Sequence, residues 1–331
     1  MASGNPNMLD WLKLRDPDGY HADIVEQVDQ QNDFIHDLEQ IEANSAFAYQ
    51  TTVRTGFANG TFLRWYQGAQ PSKGTTAQIN AQIGHLASLL EVDEEEVQAQ
   101  GEQDVFMANQ VAAHVGGMTI DMCTTGVYGD EVTNPASFAG LIQHYNDRTA
   151  ESGENIFGSS DTSANKSSIW LVGHGYHGTF GIFPKGSKTA GLTIKPFEPV
   201  ISENIDGSNG RKPVRRVWCS WKMGLVVRDW RANCRYIVDQ ATLTKNAASG
   251  NDLIDGLTEM VEKIPQQVAA KVRLKFYANG RVRSFLRRQI ANKVANSTLT
   301  MESVGGKPVM MFDGIPFGRM DVLTKTEQGI A

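Results

Sequence analysis

Between Asp93 and Met122 the apolar residues Met107, Val111, Val115, Met118 and Met122 recur every three or four positions, which places them on one face of a helix. The spacing predicts a long helix over about 93–122. Acids crowd its N-terminal half, where the helix dipole tolerates them, and Gly116-Gly117 marks the point where it is expected to kink or weaken. Ile24, Val28, Ile35 and Leu38 keep the same register and predict an amphipathic helix from Ala22 to Glu42 with an acidic outer face. A third apolar face, Leu253, Ile254, Leu257, Met260, Val261 and Ile264, predicts a helix capped by Asn251 and stopped at Pro265. A strand from Val272 to Tyr277, a helix after Asn279-Gly280 carrying Val282, Phe285, Leu286 and Ile290, and strands over 308–312 and 315–323 complete the pattern.

Other stretches have β character. Phe47 to Tyr66 forms two β-rich runs around Asn59-Gly60, a dipeptide suited to a tight hairpin turn. Residues 49–76 hold too few aliphatics to build a core, so this hairpin must lean on something else. Val217–Trp221 and Leu225–Trp230 read as strands with large aromatic residues, and 152–168 reads as a loop. Tyr128-Gly-Asp130 and Asn134-Pro135 break the helical pattern. The first twenty residues resemble an extended arm.

One motif asks for a chemical reading. Gly173-His-Gly-Tyr-His-Gly178 fits the glycine spacing of a dinucleotide-binding loop and follows the apolar run Ser168–Val172. That loop requires a helix immediately afterwards, whose amides hold the pyrophosphate. Thr179-Phe-Gly-Ile-Phe-Pro184 is aromatic, β-branched and interrupted by glycine and proline, so it reads as a second strand. The motif is therefore expected to be a hairpin tip. His174 and His177 are expected to be exposed turn residues, since no third ligand stands at metal-binding spacing.

Composition narrows the picture further. The 331 residues carry a net charge of -6 and three cysteines, Cys123, Cys219 and Cys234, with no C-x-x-C pair. These are expected to be buried, inert thiols of a reducing compartment. The N-terminus has no signal-peptide pattern and no stretch approaches a membrane span, so a soluble protein made inside the cell is expected. Charge is unevenly spread: Glu91 to Asp104 holds only acids, whereas 211–235 and 271–293 are rich in Arg and Lys. Such segments are expected to meet, within one subunit or between copies. No nucleophile elbow, Walker loop or zinc motif is present, and an enzyme is not expected. Glu94-Glu95-Glu96 reads as a solvated helix end, and His85 and His114 as packed residues.

Taken together, Tyr128-Gly-Asp130 with Asn134-Pro135 and Phe138–Leu141, Ser168–Val172 with Gly181–Ser187 and Ala190–Leu192, Val227–Trp230, Asp252–Ile254 and Gly314–Pro316 resemble a known family. It is the major capsid proteins of tailed bacteriophages with the Hong Kong 97-type fold, in the group of the epsilon-fifteen-like shell proteins. The resemblance implies an α+β fold with an N-terminal arm (1–45), an extended E-loop hairpin (46–80), a peripheral domain with a spine helix (81–243) and an axial domain (244–331). It implies a virion subunit, made and assembled in the bacterial cytoplasm, that forms hexamers and pentamers around double-stranded DNA. Portal, scaffolding and decoration proteins are implied partners; no cofactor, metal or membrane is. Arg54, Arg64 and Trp65 on the hairpin are the candidate inter-subunit contacts. The lysine crosslinking of one branch of the fold does not extend to Lys73, whose surroundings match no catalytic setting. The alternative reading is a nucleic-acid-binding protein using the basic C-terminal third.

Overall fold

The computed structural model describes residues 30–99, 103–187, 191–203, 211–244, 252–292, 299–304 and 307–330. In chain order, a short helix (Asp33–Asp37) precedes β1 (Gln40–Glu42), β2 (Ala48–Gly56), β3 (Thr75–Gln82) and β4 (Gly84–Asp93). Helices Glu94–Ala99 and Gln103–Tyr128, a helical turn Leu141–His144 and a 3-10 turn Glu151–Asn155 follow. Next come β5 (Ile156–Gly158), β6 (Lys166–His174), β7 (Thr179–Phe183), β8 (Gly191–Pro196), β9 (Val200–Glu203), β10 (Arg211–Val227) and β11 (Cys234–Asp239). The chain closes with helix Leu253–Lys263, the turn Gln266–Ala269, β12 (Arg273–Ala278), helix Gly280–Asn292, β13 (Leu299–Val304), β14 (Lys307–Phe312) and β15 (Ile315–Arg319).

Strand β10 organises the molecule. Its first part pairs antiparallel with β4 on one side and with β8 and β9 on the other, while Gly224–Val227 pair with β7. The runs expected over Val217–Trp221 and Leu225–Trp230 are joined in one seventeen-residue strand, which stops at Val227, while Trp230 opens a 3-10 turn. Beside β7 lies β6, flanked by β11 and β12, and β15 extends the sheet beyond β12. Every residue of β6 is buried, because both faces of this part of the sheet are covered. Strand alternation sends Ile169 and Leu171 toward helices Leu253–Lys263 and Gly280–Asn292. Trp170 and Val172 face the opposite core, with Phe34, Val127, Tyr145 and Tyr277.

The long helix runs through Gly116-Gly117 without a break, but the expected start at Asp93 is corrected: Glu94–Ala99 is a separate short helix and the long one spans Gln103–Tyr128, six residues beyond the expected end. Met107, Met118 and Met122 are buried as their spacing implied. Its N-terminal half packs on β4 and β10 through Phe106, Leu90, Val92 and Cys219. The helix expected over 22–42 is corrected in its described part. Only Asp33–Asp37 is helical, and Gln40–Glu42 instead adds a parallel strand beside β7. Residues 22–29 lie outside the described residues, as does the expected cap Asn251. The cap is Asp252, whose carboxylate accepts from the amides of Ile254 and Asp255.

The glycine motif is a turn between two strands, with no helix at Gly178. It is not a hairpin ladder, however, since β6 and β7 share only the bridge between His174 and Thr179 before diverging to other partners. Gly175 has φ +132°, and a Cβ on Gly178 would meet the Gly173 carbonyl oxygen at 2.3 Å. Close backbone approach explains these glycines without any ligand. His177 is exposed, but His174 is buried, corrected from the expected turn placement. Its Nε2 lies 2.7 Å from the Tyr277 hydroxyl, which donates to Asp37 Oδ2 at 2.6 Å. His85 is also corrected, to an exposed position on β4, while His114 is half-buried with Nδ1 2.6 Å from Ser88 Oγ. All three cysteines are free and buried.

The closing β/α unit shares its core with earlier elements. Tyr236 and Leu243 pack in one cluster with Leu253, Leu257 and Phe276, so the boundary expected near 243 falls inside a core. The sharper change of packing partner lies near Gly224 on β10, where pairing passes from β4 to β7.

Candidate functional site

The hairpin β2–β3 is the element that the subunit does not cover. Its strands pair from Ala48 with Gln82 to Gly56 with Thr75. The turn expected at Asn59-Gly60 is corrected: the strands close on a long loop, residues 57–74, and Thr61–Tyr66 lies in that loop instead of forming the second strand. The second strand is Thr75–Gln82, which polar residues had disguised.

The base of the hairpin is fixed. Asn44 donates to the Gln50 carbonyl at 2.6 Å and accepts from the Gln50 amide at 3.0 Å. Tyr49 is buried edge-on against Phe180, with ring centroids 5.4 Å apart. Phe180 stacks on Tyr176 of the glycine turn, and the Arg228 guanidinium lies 4.3 Å from the Tyr176 ring centre. A hydrogen bond with Tyr49, aided by the Arg228 charge, holds the Tyr176 phenol below its ordinary pKa, whereas burial pushes Tyr49 up. The glycine turn thus serves as an abutment for the hairpin.

The tip has the opposite character. Phe57 is 81% exposed, Phe62 105%, Trp65 94% and Tyr66 108%. Local bonds shape it: the Gln67 amide donates to the Arg64 carbonyl at 3.1 Å, and Ser72 Oγ donates to the Asn59 carbonyl at 2.8 Å. Contiguous aromatic exposure of this kind marks an interaction surface. Arg54 on β2 is exposed with its guanidinium 5.9 Å from the Phe57 ring centre, and Arg64 and Trp65 lie in the loop. All three candidates therefore sit on one projecting element. Sequence reading passed over Phe62 and Tyr66, because it placed their run inside a strand. Their signal was the scarcity of aliphatics over 49–76.

The charged segments do meet within the subunit. Arg215 makes a two-pronged bond to Glu94, with Nε 3.1 Å and Nη2 2.8 Å from its carboxylate oxygens, and this holds the carboxyl below its usual range. Arg216 bonds Glu91 at 2.8 Å, and Lys212 pairs with Asp93. Glu94 is therefore a paired residue rather than a solvated one. Among the described residues no group of three or more His, Cys, Asp or Glu could hold a metal ion, and no helix is long and apolar enough to cross a membrane.

A sheet organised by one long strand, a 26-residue helix packed on one end of it and a projecting hairpin have a counterpart among known proteins. The family model for major capsid protein GP7 matches residues 16–331. The chain belongs to this family. The solved structure of bacteriophage Epsilon15 is similar over 100% of this chain and 98% of its own, at 26% identity and a TM-score of 0.74. The bacteriophage JBD30 capsid is similar over 89% of this chain and 92% of its own, at 9% identity and a TM-score of 0.49. No curated protein matches the chain. This GP7-family protein has the Hong Kong 97-type fold and is a major capsid protein of a tailed phage, located in the virion shell. Its role is structural, and copies of it associate into capsid oligomers.

Proposed function

We propose that this subunit builds hexamers and pentamers of an icosahedral head enclosing double-stranded DNA, and that residues 46–82 act as the E-loop that laps onto a neighbour. The single observation that carries this reading is the exposure of Phe57, Phe62, Trp65 and Tyr66 on an arm whose base alone is anchored. An isolated two-stranded hairpin is marginal in water, so its far end gains its packing from another copy. Arg54, Arg64 and Trp65 are contacts in that interface. Residues 1–45 serve as the N-terminal arm, and the long helix with β4, β8, β9 and the first part of β10 forms the peripheral domain. The axial domain takes the strands around β6 together with the closing helices, a division that follows the cores rather than position 243. Portal, scaffolding and decoration proteins are the remaining partners, and assembly takes place in the bacterial cytoplasm.

Replacing residues 54–74 with a short Gly/Ser linker tests the proposal. Electron microscopy is expected to show a folded, soluble subunit or capsomer that forms no closed shells. Shells of normal size and stability from this variant would remove the hairpin from the assembly interface.

A further inference from the structure

Much of the charge in the basic segments is matched within the subunit. Arg215, Arg216, Arg231, Arg235 and Lys275 each lie against a carboxylate. The helix Gly280–Asn292 departs from this pattern. It carries Arg281, Arg283, Arg287 and Arg288 and no acid, and among the described residues none of the four side chains forms an ion pair. Arg281, Arg287 and Arg288 are exposed, and Arg283 is half-buried.

The closing strap of the chain adds to this charge. Asn279 Oδ1 accepts from the Arg281 amide at 3.0 Å, and its Nδ2 donates to the Leu323 carbonyl at 2.6 Å, which seats the start of the helix on the strap. A cleft of about 640 Å³ there is lined by Arg281, Arg319 and Lys325. The two nearby acids are already engaged: Asp321 takes Arg319 Nε at 2.8 Å, and Asp33 accepts from the Arg319 amide and the Gln31 side chain. Burial, followed by the charges of Arg287 and Arg319, pulls the Arg283 guanidinium below its ordinary value although Asp33 and Asp321 oppose the fall. Positive charge on this face is therefore left uncompensated.

We infer that this face lines the interior of the shell and holds phosphates of the enclosed double-stranded DNA, an inference that rests on the assembly reading above. A cluster of cations binds the phosphate backbone by releasing its counterions, without regard to base sequence. A duplex fits better than a single strand, because single-strand sites add exposed aromatic rings on which bases stack. Phe285, the aromatic residue of this helix, is half-buried, with the Arg288 guanidinium carbon 5.1 Å from its ring centre. The whole chain carries a net charge of -6, so the attraction belongs to this face alone and stays weak and salt-sensitive. Such contacts let DNA slide along the wall.

Duplex binding by the full-chain free subunit tests this. Anisotropy of a short, labelled, random-sequence duplex is expected to report binding that weakens steeply from about 50 to 200 mM salt. Arg281→Gln, Arg287→Gln and Lys325→Gln together are expected to weaken binding by about tenfold or more at the low-salt end, and to lower the slope of log affinity against log salt by about 2–3. All three side chains are exposed, so thermal melts should match those of the unaltered subunit. Lys185→Gln, Lys195→Gln and Lys222→Gln remove the same charge from exposed positions elsewhere and are expected to change binding by less than about twofold. Closed shells are expected to leave added duplex unbound, since the face is turned inward. Equal losses in the two variants would reduce the effect to bulk charge and overturn the inference, as would unchanged binding in the first. Tighter binding of a single strand, or of polyglutamate of equal charge, would give the face to another polyanion and also overturn it. So would duplex bound to closed shells through these three residues, or a first variant that folds but forms no shells, which would place the cations in a subunit contact. If the unaltered protein forms no shells, the assembly reading itself falls, and this inference with it.

Discussion

Arg235 and Glu327 lie ninety-two positions apart, yet their side chains meet at 3.0 Å, 2% and 3% exposed. The guanidinium also donates to Ser168 Oγ at 2.8 Å and to the Tyr145 carbonyl at 2.9 Å, while its carbon lies 5.4 Å from the Trp170 ring centre. Glu327 accepts from Ser168 Oγ and from the Tyr128 hydroxyl, the latter at 2.6 Å. Burial and the nearby Glu327 charge push the Tyr128 phenol upward, so it remains a donor. The closing strap of the chain therefore ties the end of the long helix to β6 and β11.

Removing one partner of that pair strands the other charge in the interior. Glu327→Ala is expected to destabilise the free subunit by about 3–5 kcal/mol, read from urea unfolding. Pairing Glu327→Leu with Arg235→Met is expected to recover much of the loss, since an apolar pair of similar volume needs no solvation. Additive losses in the double variant would show that packing, and not the charge pair, dominates this site.

His174 predicts a pH dependence of defined sign. Burial lowers its pKa from 6.5 to about 4, with Asp37 pulling the other way and Arg273 and Lys275 adding to the fall. The folded protein thus keeps the ring neutral while the unfolded chain takes up a proton below about 6.5. Stability from this group is fully present above pH 6.5 and is lost as pH falls toward 4, on the order of 3 kcal/mol in all. His174→Gln is expected to flatten the stability curve over this window. An NMR midpoint near 6.5 for His174 in the folded subunit would contradict it.

Two helices were legible because their apolar positions repeat: Met107, Met118 and Met122 fall in the core as spaced, and so do Leu253, Leu257 and Met260, whereas the same spacing at Ile35 and Leu38 misled, because a strand beside β7 follows the short helix Asp33–Asp37. Thr75–Gln82 was not legible, since its residues are mostly polar and exposed and leave no alternation to read. Asn59-Gly60 misled because a strong local turn signal sits in a loop that neither strand reaches. His174 looked like a turn residue, and only the folded chain brings Tyr277, 103 positions away, against it. For the candidate site, Arg54, Arg64 and Trp65 were expected from the part that the family resemblance gives their hairpin, and the structure leaves all three exposed. The clamp of Tyr49, Phe180, Tyr176 and Arg228 could not be expected, because its members come from distant segments.

The thiols offer a direct check of core integrity. Burial pushes Cys123 and Cys234 up to about 12 and raises Cys219 as well. The thiolate is the reactive form, so native protein at pH 8 is expected to resist alkylation at all three positions. Denaturant should expose three reactive thiols. Rapid native labelling of any of them, located by mass spectrometry, would show that its core opens.

Trp65 separates assembly from folding most cleanly. It is 94% exposed, whereas Trp170 is fully buried, so the two report on different events. Trp65→Ala is expected to change the free subunit's stability by no more than about 0.5 kcal/mol, because exposed positions away from packing features contribute little. Aromatic residues at the centre of an interface contribute far more, and truncating one typically costs about 2 kcal/mol or more of association energy. Shell yield should therefore fall although the subunit stays folded. Fluorescence supplies an independent readout: if the tip is covered by a neighbour, emission shifts to shorter wavelength on assembly, and Trp65→Phe removes most of that shift. An undiminished shift in Trp65→Phe shells would mean that another of the six tryptophans reports the contact and that the tip stays in solvent.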